Sequence, residues 1–293
     1  MVSSKEYTVI STFAGCGGSS LGYKWAGYKE LLAIDFDKNA VETFRLNFDA
    51  PIWHRDVKEV TGAEILEFCN IKKGELDVLD GSPPCQGFST AGKQEVSDNR
   101  NDLFLEYVRL INGLQPKVFV MENVSGMMKG KFKGKFNEIL RTLKDTGYNV
   151  KCKLMNAKYY EVPQSRERLI FIGVRKDFEI MPAYPAPSKN IIKAKHIIPG
   201  ALTNHNSSFK WKFIDDSFPT LTKTKAKNYM VKVGAIERYM DNSEIKKAFT
   251  FGDEFKMCGS DNDRIARLGN SVPPKMMHHI ATTIRKEILD KIK

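Results

Sequence analysis

The feature that most constrains this chain is an alternation of short apolar runs with helical stripes through its first half. "YTVISTF" (7–13), "LLAIDF", "LDVLD" and "VFVMENV" are short and dense in Val, Ile, Leu and Phe. They read as strands buried on both faces. Helical segments separate them: "SSLGYKWAG", then "KNAVETFRLNF" with Ala40, Val41, Phe44 and Phe48 on one stripe, then "GAEILEFC" and "DLFLEYVRLINGL". "FNEILRTLKDTG" continues as a helix, and "VKCKLMN" and "RLIFIGV" as strands. The alternation predicts an α/β fold, a doubly wound, Rossmann-like sheet with its ligand crevice at the carboxyl ends of the strands.

The pattern breaks after Lys176. "PAYPAPSKN" is a proline-rich joint, and the residues beyond it show little periodicity. Near the end, "PPKMMHHIATTIRKEILDKI" opens on prolines suited to a helix N-terminus and carries a stripe through Met276, Ile280, Ile284 and Ile288. It reads as a helix that returns to the first domain. The expected division is a large domain of 1–178 completed by 262–293, with a small, irregular domain of 179–261 between. The excess of 46 basic over 35 acidic residues, +11 formally, favours a polyanionic partner such as nucleic acid. No run is long enough for a membrane span, and "MVSSKEYTVI" has no signal-peptide core. The five cysteines are scattered and unpaired in sequence, and the five histidines make no metal-ligand spacing with them. The expectations are therefore free thiols, no metal, no membrane and a cytoplasmic location.

Five stretches and Asp35 carry chemistry. "FAGCGGSSLG" follows the first strand and opens a helix, so Gly15, Gly17 and Gly18 permit close backbone approach of a ligand. Asp35 ends the next strand, twenty positions after Gly15, where an acid commonly bonds a ribose hydroxyl. Ser20 stands where a dinucleotide fingerprint has its third glycine, which favours a nucleoside without a pyrophosphate. Asp56 in "WHRDV" reads equally as a contact to an adenine or as a helix cap. In "LDGSPPCQGFST", Pro83 and Pro84 stiffen the backbone in front of Cys85, which is either a spare thiol on a turn or a nucleophile on a rigid ledge. Glu122 ends an apolar strand in "VFVMENV", as a cap or as a functional acid. Arg166 and Arg168 in "QSRER" would lower a thiol pKa, grip a phosphate or simply flank an edge strand.

The set "FAGCGG", "GSPPCQGFS", "MENV", "QSRER" and "GNSVPP", in that order across 9–274, resembles the C5-cytosine methyltransferases that use S-adenosylmethionine. The resemblance implies that Cys85 adds to C6 of cytosine, that Glu122 holds N3, and that Arg166 and Arg168 position the base. It implies a target cytosine flipped out of double-stranded DNA. It places Phe13, Gly15, Gly17, Asp35, Phe36, Asp56, Val57, Pro84, Leu103, Asn270 and Val272 at the cofactor, which leaves as S-adenosylhomocysteine. Gln86 and Ser89 fall on DNA-contacting positions. In "SFPTLTKTKAKNY", Lys223, Lys225 and Lys227 suit phosphate contacts, or form a solvated loop.

The resemblance thins in the small domain, where target recognition would reside. The family pattern Arg-x-Leu-Thr-x-Arg-Glu meets "RYMDNSE" here: Arg238 and Glu244 align, but Asp241 replaces the Thr and Ser243 an Arg. Two other readings stay open, a tRNA cytosine-5 methyltransferase of the same family and a catalytically silent DNA-binding protein. A nicotinamide oxidoreductase leaves "PPCQ" and "MENV" without a role. By analogy the enzyme marks DNA, alone or paired with a restriction endonuclease. An asymmetric clamp around one base needs no second copy, so a monomer is expected.

Overall fold

The computed structural model describes residues 6–84, 102–128, 133–203, 212–213, 216–223, 226 and 229–292. The first half alternates as its apolar pattern requires: β1 (Tyr7–Thr12), α1 (Gly18–Trp25), β2 (Tyr28–Asp35), α2 (Lys38–Arg45), β3 (Ile52–His54), α3 (Gly62–Cys69), β4 (Val78–Gly81), α4 (Asp102–Leu114), β5 (Val118–Val124), α5 (Lys133–Asp145), β6 (Tyr148–Asn156) and β7 (Glu167–Arg175). The strands form one sheet in the order β3-β2-β1-β4-β5-β7-β6. The pairs from β3 to β5 are parallel, and β7 runs antiparallel between β5 and β6. The chain order reverses at β1 and β4, and there the crevice of an open α/β sheet opens.

Each face of the sheet is sealed by its own apolar layer. On one side Ile65 of α3, Leu110 and Ile111 of α4, and Ile139 and Leu143 of α5 pack on Ile10, Leu79, Phe119 and Phe171. On the other side, Tyr23 of α1 and the stripe Met276, Ile280 and Ile284 of the C-terminal helix cover Val9, Val78, Val120 and Ile172. That helix, Pro274–Glu287, begins with a proline where a missing N–H costs nothing. Tyr7 at the start of β1 donates its hydroxyl to Asp290 at 2.7 Å, beyond the same helix.

The segment without periodicity holds a second sheet. β8 (Leu202–Thr203), β9 (Lys212–Phe213), β10 (Met230–Val233) and β11 (Ile236–Tyr239) lie in the order β11-β10-β8-β9. The region is thus less irregular than its sequence predicts, because strands of two to four residues are too short to print an alternation. Two helices follow, α6 (Asn242–Ala248) and α7 (Asp261–Asn270), and the C-terminal helix is α8. Each of the two starts on a reciprocal capping box, Asp241 with Glu244 and Ser260 with Asp263. A third apolar layer joins Phe218, Leu221, Phe249 and Leu268 of this region to Val41 and Phe44 of α2.

Candidate active site

The glycine loop turns sharply at the end of β1. Phe13, Gly15 and Gly17 all have left-handed backbones, with φ of 54°, 56° and 87°. For Phe13 that conformation costs about 1–3 kcal/mol, which the surrounding fold must supply. A side chain at Gly17 would run into the Phe48 ring, while Gly15 faces open space. Beneath the loop, Asp35 accepts Gly15 N–H at 2.7 Å through Oδ2 and Asp37 N–H at 2.8 Å through Oδ1. Beside it opens a cleft of about 100 Å³ lined by Phe13, Asp35, Phe36, Arg55, Asp56, Val57 and Leu103. Six of these seven are positions expected at the cofactor. Phe36 is 67% exposed, an aromatic plate with nothing stacked on it among the described residues. Asp56 caps the turn at Val57 by accepting Lys58 N–H at 3.0 Å, so the capping role holds while the residue also lines the cleft.

This lining discriminates between ligands. A phosphate seeks the free N–H groups of a glycine loop, but here Asp35 takes Gly15 N–H and Asp56 adds a second carboxylate to the wall. An exposed ring, apolar Val57 and Leu103, and two acids suit a purine, a ribose and a positive group. The residues fit a nucleoside cofactor without a pyrophosphate.

Next to the cleft, β4 ends at Gly81 and the chain continues through Ser82, Pro83 and Pro84. A Cβ at Gly81 would strike the Tyr107 ring and stand 2.7 Å from Thr12 Oγ1. Tyr107 Oη lies 2.9 Å from the carbonyls of both Leu79 and Val120, so its one proton ties α4 to β4 or β5 in turn. Asn123 Nδ2 donates to Pro83 O at 3.3 Å and fixes the start of the ledge to β5. Cys85, Gln86 and Ser89 lie outside the described residues.

The antiparallel register of β5 and β7 sets Ile170 opposite Glu122 and Arg168 opposite Val124. Glu122 and Arg168 are therefore diagonal neighbours on one face. They form an ion pair at 2.6 Å between Arg168 Nε and Glu122 Oε1, with only 12% and 10% of the two side chains exposed. Arg166 precedes β7 and differs from Arg168 in its partners. It is fully buried, donates to Leu221 O at 3.3 Å and to Gly269 O at 2.8 Å, and lies over the Phe249 ring. Burial lowers its pKa, yet a guanidinium stays charged. Gln164 adds to this seam: its Oε1 accepts Leu221 N–H at 3.0 Å and its Nε2 donates to Ala248 O at 3.3 Å.

Of the remaining expected positions, Leu103 lies on α4 at the cleft and Pro84 is half-buried. Asn270 is exposed at the end of α7, and Val272 is buried with its carbonyl where a Cβ of Gly18 would stand. Lys223 is exposed, and Lys225 and Lys227 lie outside the described residues. The divergent "RYMDNSE" runs from the end of β11 into a helix capped by Asp241, and Arg238 donates two hydrogen bonds to the Glu244 carboxylate at 2.6 and 2.8 Å. Ser243 lines a separate cavity of about 170 Å³ with Lys246, Arg264 and Leu268. Sequence reasoning missed Asn123, Tyr107 and Gln164. Asn123 and Gln164 lie inside the quoted motifs "MENV" and "QSRER", which was their only signal.

The sequence matches the family of C-5 cytosine-specific DNA methylases over residues 7–237 and 203–286. It is 30% identical over 333 aligned residues to the Type II methyltransferase M.NgoPII of Neisseria gonorrhoeae, with 96% of each chain covered. It is 40% identical over 182 residues to M.XorII of Xanthomonas oryzae, an alignment spanning 61% of this chain and 43% of that relative. Among solved structures, a prophage protein of E. coli assigned as a DNA modification methyltransferase superposes with a TM-score of 0.80 at 21% identity, covering 97% of this chain and 100% of that one. Spodoptera frugiperda DNMT2 gives 0.73 at 18% identity, covering 98% and 99%. These two likenesses show the fold. The chain belongs to the C-5 cytosine-specific DNA methylase family and is a DNA cytosine-5 methyltransferase. Its reaction draws on a methyl-donor cofactor and acts on DNA. Among the described residues no helix is long and apolar enough to cross a membrane, and no group of His, Cys, Asp and Glu could hold a metal ion.

Proposed function

We propose that the donor is S-adenosylmethionine and that the target is a cytosine flipped out of a specific duplex sequence, attacked by Cys85. The observation that carries this reading is the Glu122–Arg168 pair, a buried carboxylate held by a guanidinium beside the Pro83–Pro84 ledge. The thiols of Cys16 and Cys69 are pushed up to about 11 and that of Cys152 to about 12, each chiefly by burial, so none of these is an activated nucleophile.

When bound, the cofactor supplies an electrophilic methyl group. Phe36 and Val57 would hold its adenine, Asp35 its ribose, and Asp56 and Leu103 the cleft wall around them. Cytosine C5 is too weak a nucleophile to take that methyl directly. The Cys85 thiolate forms a bond to C6, and the electron pair released makes C5 an enamine carbon. Glu122 holds N3 and stabilises the charge that develops there, while Arg168 fixes the Glu122 carboxylate. After transfer the C5 proton leaves, the C5–C6 double bond re-forms and Cys85 departs. Arg166 supports this site from behind by tying β7 to the recognition region. We also read 1–178 with 262–293 as the catalytic domain and 179–261 as the target-recognition domain, with Gln86, Ser89 and the lysines 223, 225 and 227 on DNA. The enzyme works as a monomer, alone or with a cognate restriction endonuclease; the relatives' name, Type II methyltransferase, supports the pairing.

The test is transfer of labelled methyl from S-adenosylmethionine to mixed genomic duplex DNA and, in parallel, to tRNA. Label recovered as 5-methylcytosine in DNA and lost in Cys85→Ala is the expected result. Label confined to tRNA, or present in Cys85→Ala, overturns the reading. Cofactor binding without transfer to either also overturns it and points to a catalytically silent binding protein.

A further inference from the structure

The strand that leads into the ledge carries an acid that none of these roles uses. Asp80 is the last residue of β4 before Gly81, is 3% exposed and lies beneath α1. Its Oδ1 accepts from Tyr23 Oη at 3.3 Å, and Ser19, in the first turn of α1, donates to the same carboxyl. Its backbone carbonyl accepts Thr12 Oγ1 at 3.1 Å. The glycine loop runs directly into α1. One carboxyl therefore joins the helix that begins at the cofactor loop to the strand that ends at the nucleophile's ledge.

The surroundings do not suit a carboxylate. Its side-chain donors are hydroxyls, and among the described residues no lysine or arginine forms an ion pair with it. The titratable groups that face it are Glu30 from β2, Glu122 from β5, Tyr23 from α1 and Tyr107 from α4. Both acids are unfavourable neighbours for a second negative charge. Glu30 belongs to the same polar layer: its Oε1 accepts Ser20 Oγ at 3.0 Å, and its Oε2 is buried without a formed hydrogen bond. A neutral acid is the form this pocket accommodates, since it can donate its own proton to a hydroxyl oxygen while accepting from the others.

We propose that Asp80 is a positioning residue for methyl transfer, which as the protonated acid locks α1 and the glycine loop onto the end of β4, and whose ionisation loosens the cofactor cleft. The inference rests on the cofactor assignment made above. Burial, opposed by the Ser19 and Tyr23 hydroxyls and reinforced by Glu30 and Glu122, pushes the carboxyl up to about 8. The lock is closed at neutral pH, and in mildly alkaline solution the Asp80 proton passes to solvent and leaves a carboxylate that the pocket cannot neutralise.

The experiment is calorimetric titration of S-adenosylhomocysteine into the full-length protein between about pH 6.5 and pH 9.5, for wild type, Asp80→Asn and Glu30→Gln. In wild type the affinity falls by at most about tenfold per pH unit above the transition, as one coupled proton allows. Asp80→Asn, a neutral isostere, binds as wild type does at pH 6.5 and holds that affinity across the range. Glu30→Gln keeps the transition but moves it to lower pH, because a repelling charge is gone. This second variant carries the test if Asp80→Asn does not fold. A flat wild-type profile, a transition that persists unchanged in Asp80→Asn, or one abolished in Glu30→Gln overturns the proposal. Homocysteine-nucleoside binding absent at every pH removes the cofactor assignment itself and the coupling with it, an outcome distinct from pH-independent binding.

Discussion

Two buried acids, Glu122 and Asp80, meet different fates within one strand spacing of each other, and the partner decides which. Glu122 has a guanidinium at 2.6 Å; Asp80 has hydroxyls. Removing Arg168 strands a carboxylate in a nearly closed site, so Arg168→Ala should cost about 3 kcal/mol in urea unfolding. The double variant Glu122→Gln/Arg168→Met should recover part of that stability while staying inactive; a double variant no more stable than Arg168→Ala would contradict the pair's isolation. For Asp80 the sign follows from proton counting. Burial pushes its carboxyl up to about 8 in the folded protein, against about 4 in an unfolded chain. Between those values the folded state holds one more proton, so stability is full below about pH 4 and declines as pH rises through the window to about 8. The melting temperature of Asp80→Asn should thus gain on wild type from about pH 5 to about pH 8.5; a constant gap would mean that Asp80 ionises normally. Neither environment was readable from the sequence. Asp80 and Glu122 both look like acids ending apolar runs, and only the register of β5 with β7 and the packing of α1 tell them apart.

At the level of elements, the inner strands of the sheet were legible because β1, β4, β5 and β7 are almost wholly buried and print near-continuous apolar runs. What periodicity does not carry is direction. Nothing in "VKCKLMN" or "RLIFIGV" says that the later strand slots between β5 and β6 and runs antiparallel to both. The same gap hid a close helix contact. At Gly22, α1 approaches α8 so nearly that a Cβ would stand 2.6 Å from Met277 Cβ and 2.7 Å from Pro274 O. Gly22→Ala should push the helices apart and destabilise the fold by about 1–3 kcal/mol. Because α1 begins at the glycine loop, it should also weaken S-adenosylhomocysteine binding, measured by calorimetry on the folded fraction. Full retention of both would mean that α8 tolerates displacement. The motifs around the site were legible as residue types at fixed spacings, whereas Asn123 and Tyr107 act through backbone carbonyls that only the fold brings within reach.

Across the whole molecule, the formal charge of +11 meets a polyanionic substrate. DNA affinity should fall steeply and log-linearly with salt, with a slope of about −0.9 per phosphate neutralised. S-adenosylhomocysteine affinity should barely change over the same range, and a shallow DNA slope would place recognition outside the basic surface. Arg166 helps to join the proposed recognition region to the rest: its guanidinium reaches the carbonyl of Leu221 within that region and that of Gly269 in α7. Every amino acid offers the same carbonyl. The carbonyl part of that fastening makes no demand on side chains, unlike the layer of Phe218, Leu221 and Phe249 against Val41 and Phe44, so positions outside that layer are free to be rewritten for another target while the anchor keeps its grip. Evolution, or a designer grafting a new specificity, could then trade readers without recutting the socket.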